Sequence, residues 1–249
     1  MAFSTRSYAG PYVMGGGLPR GVKLLLIVNV AIFLFTWFAG RSAIGDAFLS
    51  AFALRPADVV GRLFIWQMGT YLFLHGDAFH ILYNMLGLWF FGGELERLWG
   101  TDKFMRFYFI CGVGAGAVVV LANYLFGNPA SQTIGASGAI YGILLVAAIL
   151  WPDRIIIMMI FPIKLKYFVM LMGAISLLGL RNINSGVSDV AHLSGMVFGY
   201  LFLKMPQVRG FDPLYTLRQA YRHWKLERAK KKFQVYMRKK DSKGDPWVH

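Results

Sequence analysis

Charged residues are scarce in this sequence. Lys, Arg, Asp and Glu together make up 15% of its 249 residues, and Asp and Glu number only 12. Hydrophobic residues account for 57%, and the mean hydropathy is +0.51. This scarcity argues against an ordinary soluble domain, and the composition is that of a membrane protein. Cysteine is also nearly absent. Cys111 is the single cysteine, and a single cysteine cannot form an intramolecular disulfide.

The charges that are present leave six apolar runs between them, at about residues 24–40, 78–93, 107–127, 134–151, 167–180 and 188–203. A helix that crosses the bilayer core of roughly 30 Å needs about 20 residues, so several runs are short. Short spans imply buried ends or a locally thinner bilayer. A cleaved signal peptide is the alternative for the first run, but its long preceding segment and the lack of a small-residue cleavage site favour a retained span. We therefore predict an all-α membrane protein.

The net charge of +14 is unevenly distributed along the chain. From Lys204 to the end there are 13 Lys/Arg and 4 Asp/Glu, a net of +9. The positive-inside rule then predicts that both termini lie in the cytoplasm, as six spans require, and this distribution argues against nucleic acid as a partner. We predict a cytoplasmic N-terminal segment (1–22), a membrane domain (23–204) and a basic cytoplasmic tail (205–249).

The tail has the pattern of an amphipathic helix. Asp212-Pro213 is a plausible helix start, and apolar residues follow at helical spacing with Lys and Arg around them: Leu214, Leu217, Tyr221 and Trp224. We favour a helix that lies on anionic lipid over one that binds RNA or a protein partner.

Two connecting segments also carry many apolar side chains. Residues 41–77 are expected at the non-cytoplasmic membrane interface. Residues 155–161 are apolar but are followed by Pro162, Lys164 and Lys166. We interpret them as a segment at the cytoplasmic interface and not as a seventh span.

A run of small residues, Gly135-Ala136-Ser137-Gly138-Ala139-Ile140-Tyr141-Gly142, opens the fourth apolar segment. The preceding linker, 127–135, is short and uncharged, so the fourth helix can begin inside the bilayer. Ser137 then lies at a helix N-terminus, where free N–H groups favour a developing anion. The alternative to a reactive serine is that this run serves only for helix packing. Glycines at four-residue spacing, such as Gly138 and Gly142, are common contacts between membrane helices, and a serine can bridge helices by a hydrogen bond.

Two polar side chains, His80 and Asn84, lie one helical turn apart in the second apolar run. They either bridge helices or contribute to a polar site within the membrane. A metal site made of His75, His80 and His192 is a further alternative. No HExxH spacing and no acidic ligand accompany these histidines, so we expect no metal.

The sixth run carries Ala191-His192-Leu193-Ser194-Gly195-Met196-Val197-Phe198-Gly199. On a helix, His192, Gly195 and Gly199 share one face, as Ser137, Gly138 and Tyr141 do in the fourth run. Two faces of small residues, each with one reactive side chain, can approach closely enough for a hydroxyl–imidazole hydrogen bond. Nucleophilic catalysis needs this geometry.

These motifs resemble, in their order along the chain, those of the rhomboid intramembrane serine proteases: His80-x-x-x-Asn84, Gly135-Ala136-Ser137-Gly138, Tyr141 and Ala191-His192-x-x-Gly195-x-x-x-Gly199. The resemblance covers about residues 20–204, and its specificity lies in the ordered combination. The segment 92–96, Gly-Gly-Glu-Leu-Glu, is similar to the family's turn after the second span. One departure is visible, because rhomboids usually carry Trp-Arg in the first loop and this chain has Trp66-Gln67. It affects the loop's internal hydrogen bonding more than the chemistry.

The resemblance implies a six-transmembrane-helix bundle with a short fourth helix that starts inside the membrane. It also implies a Ser–His dyad without a carboxylate, in which Ser137 attacks the scissile carbonyl and His192 is first base and then acid. Tyr141 would hold the imidazole. His80, Asn84 and the backbone N–H at Ser137 would meet the oxyanion, with Gly135 in support. Such a dyad needs no cofactor.

We therefore expect an intramembrane serine endopeptidase that cleaves transmembrane segments and is a multi-pass protein of the bacterial cytoplasmic membrane. An inactive rhomboid-like protein that binds membrane clients is the alternative, although that class usually lacks the serine or the histidine. A transporter or channel is less favoured, because the sequence shows no repeated halves and its spans carry almost no charged groups.

Overall fold

The computed structural model describes residues 17–40, 42–158, 161–180, 189–205 and 224–230. The chain divides into two compact units, Met1–Lys204 and Met205–His249. In the second unit, residues 224–230 are helical and mostly exposed. The helix start expected at Asp212-Pro213 lies outside the described residues, so the amphipathic tail stays a prediction.

The described part of the first unit is mostly helical. Its helices are α1 Arg20–Ala39, α2 Ala43–Phe52, α3 Pro56–Gly61, α4 Gln67–Thr70, α5 Ala78–Gly87, α6 Gly93–Trp99, α7 Thr101–Phe126, α8 Ser137–Leu150, α9 Leu165–Gly179 and α10 Asp189–Lys204. A 3-10 turn, Tyr71–Phe73, follows α4, and a π-helical turn, Leu88–Gly92, joins α5 to α6. Two strands, β1 Ile155–Met158 and β2 Phe161–Lys164, lie between α8 and α9.

The two strands form an antiparallel hairpin, so the all-α expectation is wrong in this region. Three successive β-branched isoleucines favour extended backbone. Ile155 pairs with Lys164, and Ile157 pairs with Pro162. Ile156 packs against the core, whereas Ile155 and Ile157 are exposed. The apolar segment that follows α8 is thus extended and forms no further helix.

Within the described residues, α1 and α7 are long and apolar enough to cross a membrane. Three of the other apolar runs form shorter helices, of 14 residues in α8, 15 in α9 and 16 in α10. The second run forms one helical segment over 78–99 through α5, the π-helical turn and α6. The turn expected at 92–96 is therefore wrong, because these residues are helical. The chain turns at Gly100, whose φ of 81° favours glycine.

Helix α8 lies at the centre of the first unit. Apolar side chains around its circumference are buried: Ala139, Ile140, Ile143, Leu144, Val146 and Ala147. A helix that is hydrophobic on all sides needs neighbours on all sides, and α5, α7, α9 and α10 pack against it. These contacts hold the first turn of α8 in place.

Helix α1 is capped by a side chain of α6. It has no side-chain cap of its own. The Glu96 carboxylate accepts hydrogen bonds from the N–H groups of Gly21 (2.8 Å) and Val22 (2.7 Å) and from the Thr101 hydroxyl (2.6 Å). Because Glu96 is buried, these charge-assisted bonds are shielded from water. They tie α1 to the junction of α6 and α7.

Gln67 connects the backbone of the segment between α1 and α5. Its side chain is fully buried, with Oε1 accepting from the N–H of Arg55 (3.0 Å) and Nε2 donating to the carbonyl of Ser50 (3.1 Å). The neighbouring Trp66 indole donates to the carbonyl of Ala51 (2.9 Å). An uncharged amide thus forms the internal hydrogen bonds of this loop at the position where rhomboids usually have arginine.

Candidate active site

The backbone before α8 is held by the segment between α1 and α5. Leu54 and Thr133 exchange two backbone hydrogen bonds, of 3.0 and 2.9 Å, and the N–H of Gly135 donates to the carbonyl of Tyr71 at 2.9 Å. Gly135 has a φ of 118°, which favours glycine, and a Cβ there would lie 2.5 Å from Nε2 of His80. Glycine is therefore needed both for the turn and for the approach of His80.

Ser137 and His192 are in hydrogen-bond contact. Ser137 is the first residue of α8, and its Oγ lies 2.9 Å from Nε2 of His192 on α10. Tyr141, one turn after Ser137, stacks on the imidazole, with ring centroids 4.1 Å apart and planes 5° apart. The stacking fixes the plane of the imidazole ring. A hydroxyl held against an imidazole nitrogen in this way can give up its proton to it.

The other imidazole nitrogen faces two groups that the sequence analysis missed. Nδ1 of His192 lies 3.2 Å from Oγ of Ser176 and 3.6 Å from Oδ1 of Asp189. Asp189 precedes His192 by three residues on one helix, a spacing that brings side chains together and could have revealed it. Ser176 gave only the weak signal of a polar residue within an apolar run, because its contact depends on how α9 packs against α10.

Helices α8 and α10 are in backbone contact through glycines. A Cβ on Gly195 would lie 1.9 Å from the carbonyl oxygen of Gly138, and one on Gly199 would lie 2.9 Å from that of Gly142. A Cβ on Gly142 would also meet Sγ of Cys111 in α7 at 2.8 Å. There is no room for a side chain at these positions, and this closeness allows the Ser137–His192 contact.

His80 lies against the turn before α8, with Asn84 one helical turn further on. Nδ1 of His80 accepts from the N–H of Gly76 at 3.4 Å, which leaves the proton of a neutral ring on Nε2, beside Gly135. Asn84 is buried, and its amide donates to the carbonyl of His80 at 2.8 Å. The structure therefore brings His80 to the turn that precedes Ser137, and Asn84 contacts the backbone of His80.

His75 packs on His80. The two rings meet edge to face, with centroids 5.0 Å apart. Burial and, after it, the neighbouring His80 lower the pKa of His75 to about 3, so this ring is neutral at physiological pH. Within the described residues, no three His, Cys, Asp or Glu side chains form a group that could hold a metal ion.

Apolar helices packed around a polar serine–histidine pair are typical of a protein with a site inside the membrane. Comparison with known proteins gives the family. The family model of the Rhomboid domain matches residues 63–205. RHOMBOID-like protein 1 of Arabidopsis thaliana is 28% identical over 225 residues, which cover 78% of this chain and 56% of the relative. Rhomboid protease GlpG of Yersinia pestis is 26% identical over 203 residues, which cover 79% of this chain and 63% of the relative.

The chain belongs to the rhomboid family. The match runs over more than half of its length, from Leu63, between α3 and α4, to just past the end of α10. The resemblance noted in the sequence is confirmed at the level of the family. The protein is accordingly an integral membrane protein. Its chain spans between 56% and 63% of the length of the relatives named above.

Proposed function

We propose that this protein is an intramembrane serine endopeptidase that cleaves transmembrane segments of other membrane proteins. The observation that carries the proposal is the 2.9 Å contact between Ser137 Oγ and His192 Nε2, with the imidazole stacked on Tyr141. Relatives named rhomboid protease support the same activity.

The contact supports a two-step acyl transfer. Ser137 Oγ attacks the scissile carbonyl while His192 Nε2 takes the hydroxyl proton, and the same nitrogen then gives this proton to the leaving amine. A water molecule, activated by His192, hydrolyses the resulting acyl–serine ester and frees the enzyme. Both halves of the reaction use one base, and no cofactor takes part.

The oxyanion would form at the N-terminus of α8. The backbone N–H of Ser137 is free of intrahelical bonding there, and the helix dipole favours negative charge. His80 is suited to donate through Nε2, and Asn84 follows it on the same helix. One such donor contributes roughly 3–4 kcal/mol of transition-state stabilisation. Gly135 supports the site through the close approach of His80.

The proposed membrane domain, 23–204, has six spans: α1, the helical segment 78–99, α7, α8, α9 and α10. Helix α8 would be the short fourth span, since its 14 residues measure about 21 Å against roughly 30 Å of hydrocarbon. Ser137 would then lie below the non-cytoplasmic surface. Both the N-terminal segment, 1–22, and the basic tail, 205–249, would be cytoplasmic, with the tail on anionic lipid. A bacterial inner membrane stays a prediction, because the relatives come from a plant as well as from bacteria.

The decisive experiment is a cleavage assay with purified protein in detergent and in liposomes, against a panel of transmembrane substrates. We expect Ser137→Ala, His192→Ala and the double variant to fall to one common background, because removing either partner disables the pair. Ser194→Ala is the matched control. Ser194 lies on the same helix as His192, and its hydroxyl bonds to the carbonyl of Val190, so this variant should keep its activity.

The alternative is an inactive protein that binds membrane clients. It predicts that the purified protein cuts no transmembrane substrate and that Ser137→Ala binds clients as the wild type does. A fluorophosphonate probe separates the two functions without any knowledge of the substrate. An endopeptidase is labelled in the wild type and in Ser194→Ala but not in Ser137→Ala.

A further inference from the structure

We propose that Asp189 is a third functional group of this site, a positioning residue that holds His192 in the tautomer and charge state that proton transfer from Ser137 requires. This inference rests on the proposed endopeptidase function. It replaces the two-residue dyad that the family resemblance implies with a serine, a histidine and a carboxylate in contact.

The positions of the groups around the imidazole of His192 favour one tautomer of the ring. Ser137 Oγ approaches Nε2 at 2.9 Å, while on the other side Oδ1 of Asp189 is 3.6 Å and Oγ of Ser176 is 3.2 Å from Nδ1. A carboxylate can only accept, so it favours the tautomer with its proton on Nδ1. That tautomer leaves Nε2 free to accept from Ser137. The opposite tautomer would present an N–H to the nucleophile and could not take its proton.

The negative charge of Asp189 also matters for the charge that His192 acquires during the reaction. When Nε2 receives the serine proton, the ring becomes an imidazolium. The three other side chains described against the ring, Ser137, Tyr141 and Ser176, are uncharged. The Asp189 side chain is 14% exposed, so the attraction between carboxylate and imidazolium is only weakly screened by water. Asp189 thus stabilises the charge that forms during serine attack.

The C-terminal end of α9 leaves room for the carboxylate of Asp189. A Cβ on Gly179 would lie 2.0 Å from Oδ2 of Asp189. Glycine at this position therefore leaves the room that the carboxylate occupies, beside the imidazole. An aspartate in the first turn of a helix also stabilises that helix by itself, so an experiment must separate this structural role from the positioning role.

Asp189→Asn is the first variant, because it keeps the shape and removes the charge. We expect kcat to fall about tenfold to a hundredfold with KM unchanged. This is less than the roughly 10⁴-fold loss for a hydrogen-bonded triad aspartate, because 3.6 Å is beyond hydrogen-bond distance. A purely structural Asp189 predicts a lower melting temperature with wild-type kcat in the folded protein, and that result would overturn the inference.

Gly179→Ala tests the same contact without changing Asp189. The new methyl group must displace the carboxylate, so kcat should fall in the wild type but not further in the Asp189→Ala background, where no carboxylate remains. Gly173→Ala is the matched control on α9, since a Cβ there meets Sδ of Met196 at an ordinary 3.6 Å. If Gly179→Ala lowers kcat equally in both backgrounds, its effect does not act through Asp189 and the inference fails.

The same assay distinguishes failure of this inference from failure of the proposed function. One outcome is an active wild type, an inactive Ser137→Ala variant and an Asp189→Asn variant with wild-type kcat. This outcome would support the endopeptidase function and refute the positioning role of Asp189. A wild-type protein that neither cuts a substrate nor reacts with a fluorophosphonate would overturn both.

Discussion

His80 and Asn84 differ from Ser137 in that several groups share their proposed task. Each would be one of several donors to the oxyanion, so His80→Ala and Asn84→Ala should retain partial activity, with kcat lowered by about 10²–10³-fold. Ser137→Ala should retain none above background. Steady-state rates of the three purified variants, measured on one substrate, make this comparison.

The control for Asn84 is Asn123→Ala. Asn123 is also buried, and its amide donates to the carbonyl of Val119 one turn earlier in α7, as that of Asn84 donates to His80. Its removal should leave kcat unchanged. An Asn84→Ala variant as inactive as Ser137→Ala would show that Asn84 acts as part of the serine–histidine unit and not as one donor among several.

Gln67 gives a second prediction at the scale of the residue, and it concerns stability. Gln67→Ala removes a fully buried amide and leaves the N–H of the half-buried Arg55 and the carbonyl of the exposed Ser50 without their side-chain partner. A hydrogen bond contributes about 0.5–1.5 kcal/mol net, so the loss of these two bonds should lower the free energy of unfolding by about 1–3 kcal/mol. Thermal melting in detergent measures the change.

Gln132→Ala is the matched control, because Gln132 is exposed and a surface substitution usually changes stability by less than about 0.5 kcal/mol. Equal melting temperatures for the two variants would mean that the amide of Gln67 contributes nothing to the loop. The departure from the usual Trp-Arg pair would then have no structural compensation.

At the scale of elements, the contact between α8 and α10 determines the site. Gly195→Leu should abolish activity while the protein still inserts into the membrane. Its Cβ alone would lie 1.9 Å from the carbonyl oxygen of Gly138, so the two helices must separate. A displacement of about 1 Å between reacting groups can cost about a hundredfold in rate. The measurements are kcat and the amount of protein in the membrane fraction.

The control substitution is Gly61→Leu, at a glycine whose Cβ would meet nothing within 4 Å. It should be as active as the wild type. Wild-type turnover in Gly195→Leu would refute the view that close packing of α8 on α10 is what brings His192 to Ser137.

The spacing of small residues in the sequence predicted α8 and α10, because such a pattern depends only on the local sequence of each helix. Small residues at i and i+4 mark a contact face whatever the partner, and the observed α8 and α10 differ by only a few residues from the apolar runs 134–151 and 188–203. The family resemblance supplied the pairing of Ser137 with His192, which neither helix specifies alone.

The features that sequence did not predict depend on tertiary contacts or on competing local preferences. The contact of Ser176 with His192 follows from how α9 packs against α10. The hairpin was missed because an apolar run of seven residues, 155–161, does not separate strand from helix by periodicity. The helical course of residues 92–96 was missed because two adjacent glycines usually indicate a turn, whereas here they lie in a segment packed against α7.

At the scale of the whole molecule, the distribution of basic residues and the number of spans together predict the topology. The basic residues after the second and fourth runs and in the tail predict one cytoplasmic side, and an even number of spans puts both termini there. Helices α1 and α7 are long enough for full crossings, whereas α8 is not. The proposed position of Ser137 below one surface therefore depends on which side each loop faces.

Cysteine labelling tests this topology with little background, because the chain has a single cysteine, Cys111, and it is buried. Gly17 and Gly61 form a matched pair, since a Cβ on either would meet nothing within 4 Å. In intact cells, a membrane-impermeant maleimide should label Gly61→Cys, at the C-terminal end of α3, but not Gly17→Cys, before α1. After permeabilisation both should react, while the wild type should react in neither case. Labelling of both variants from the same side would contradict a first span that crosses the membrane, and with it the six-span arrangement that places Ser137 within the bilayer.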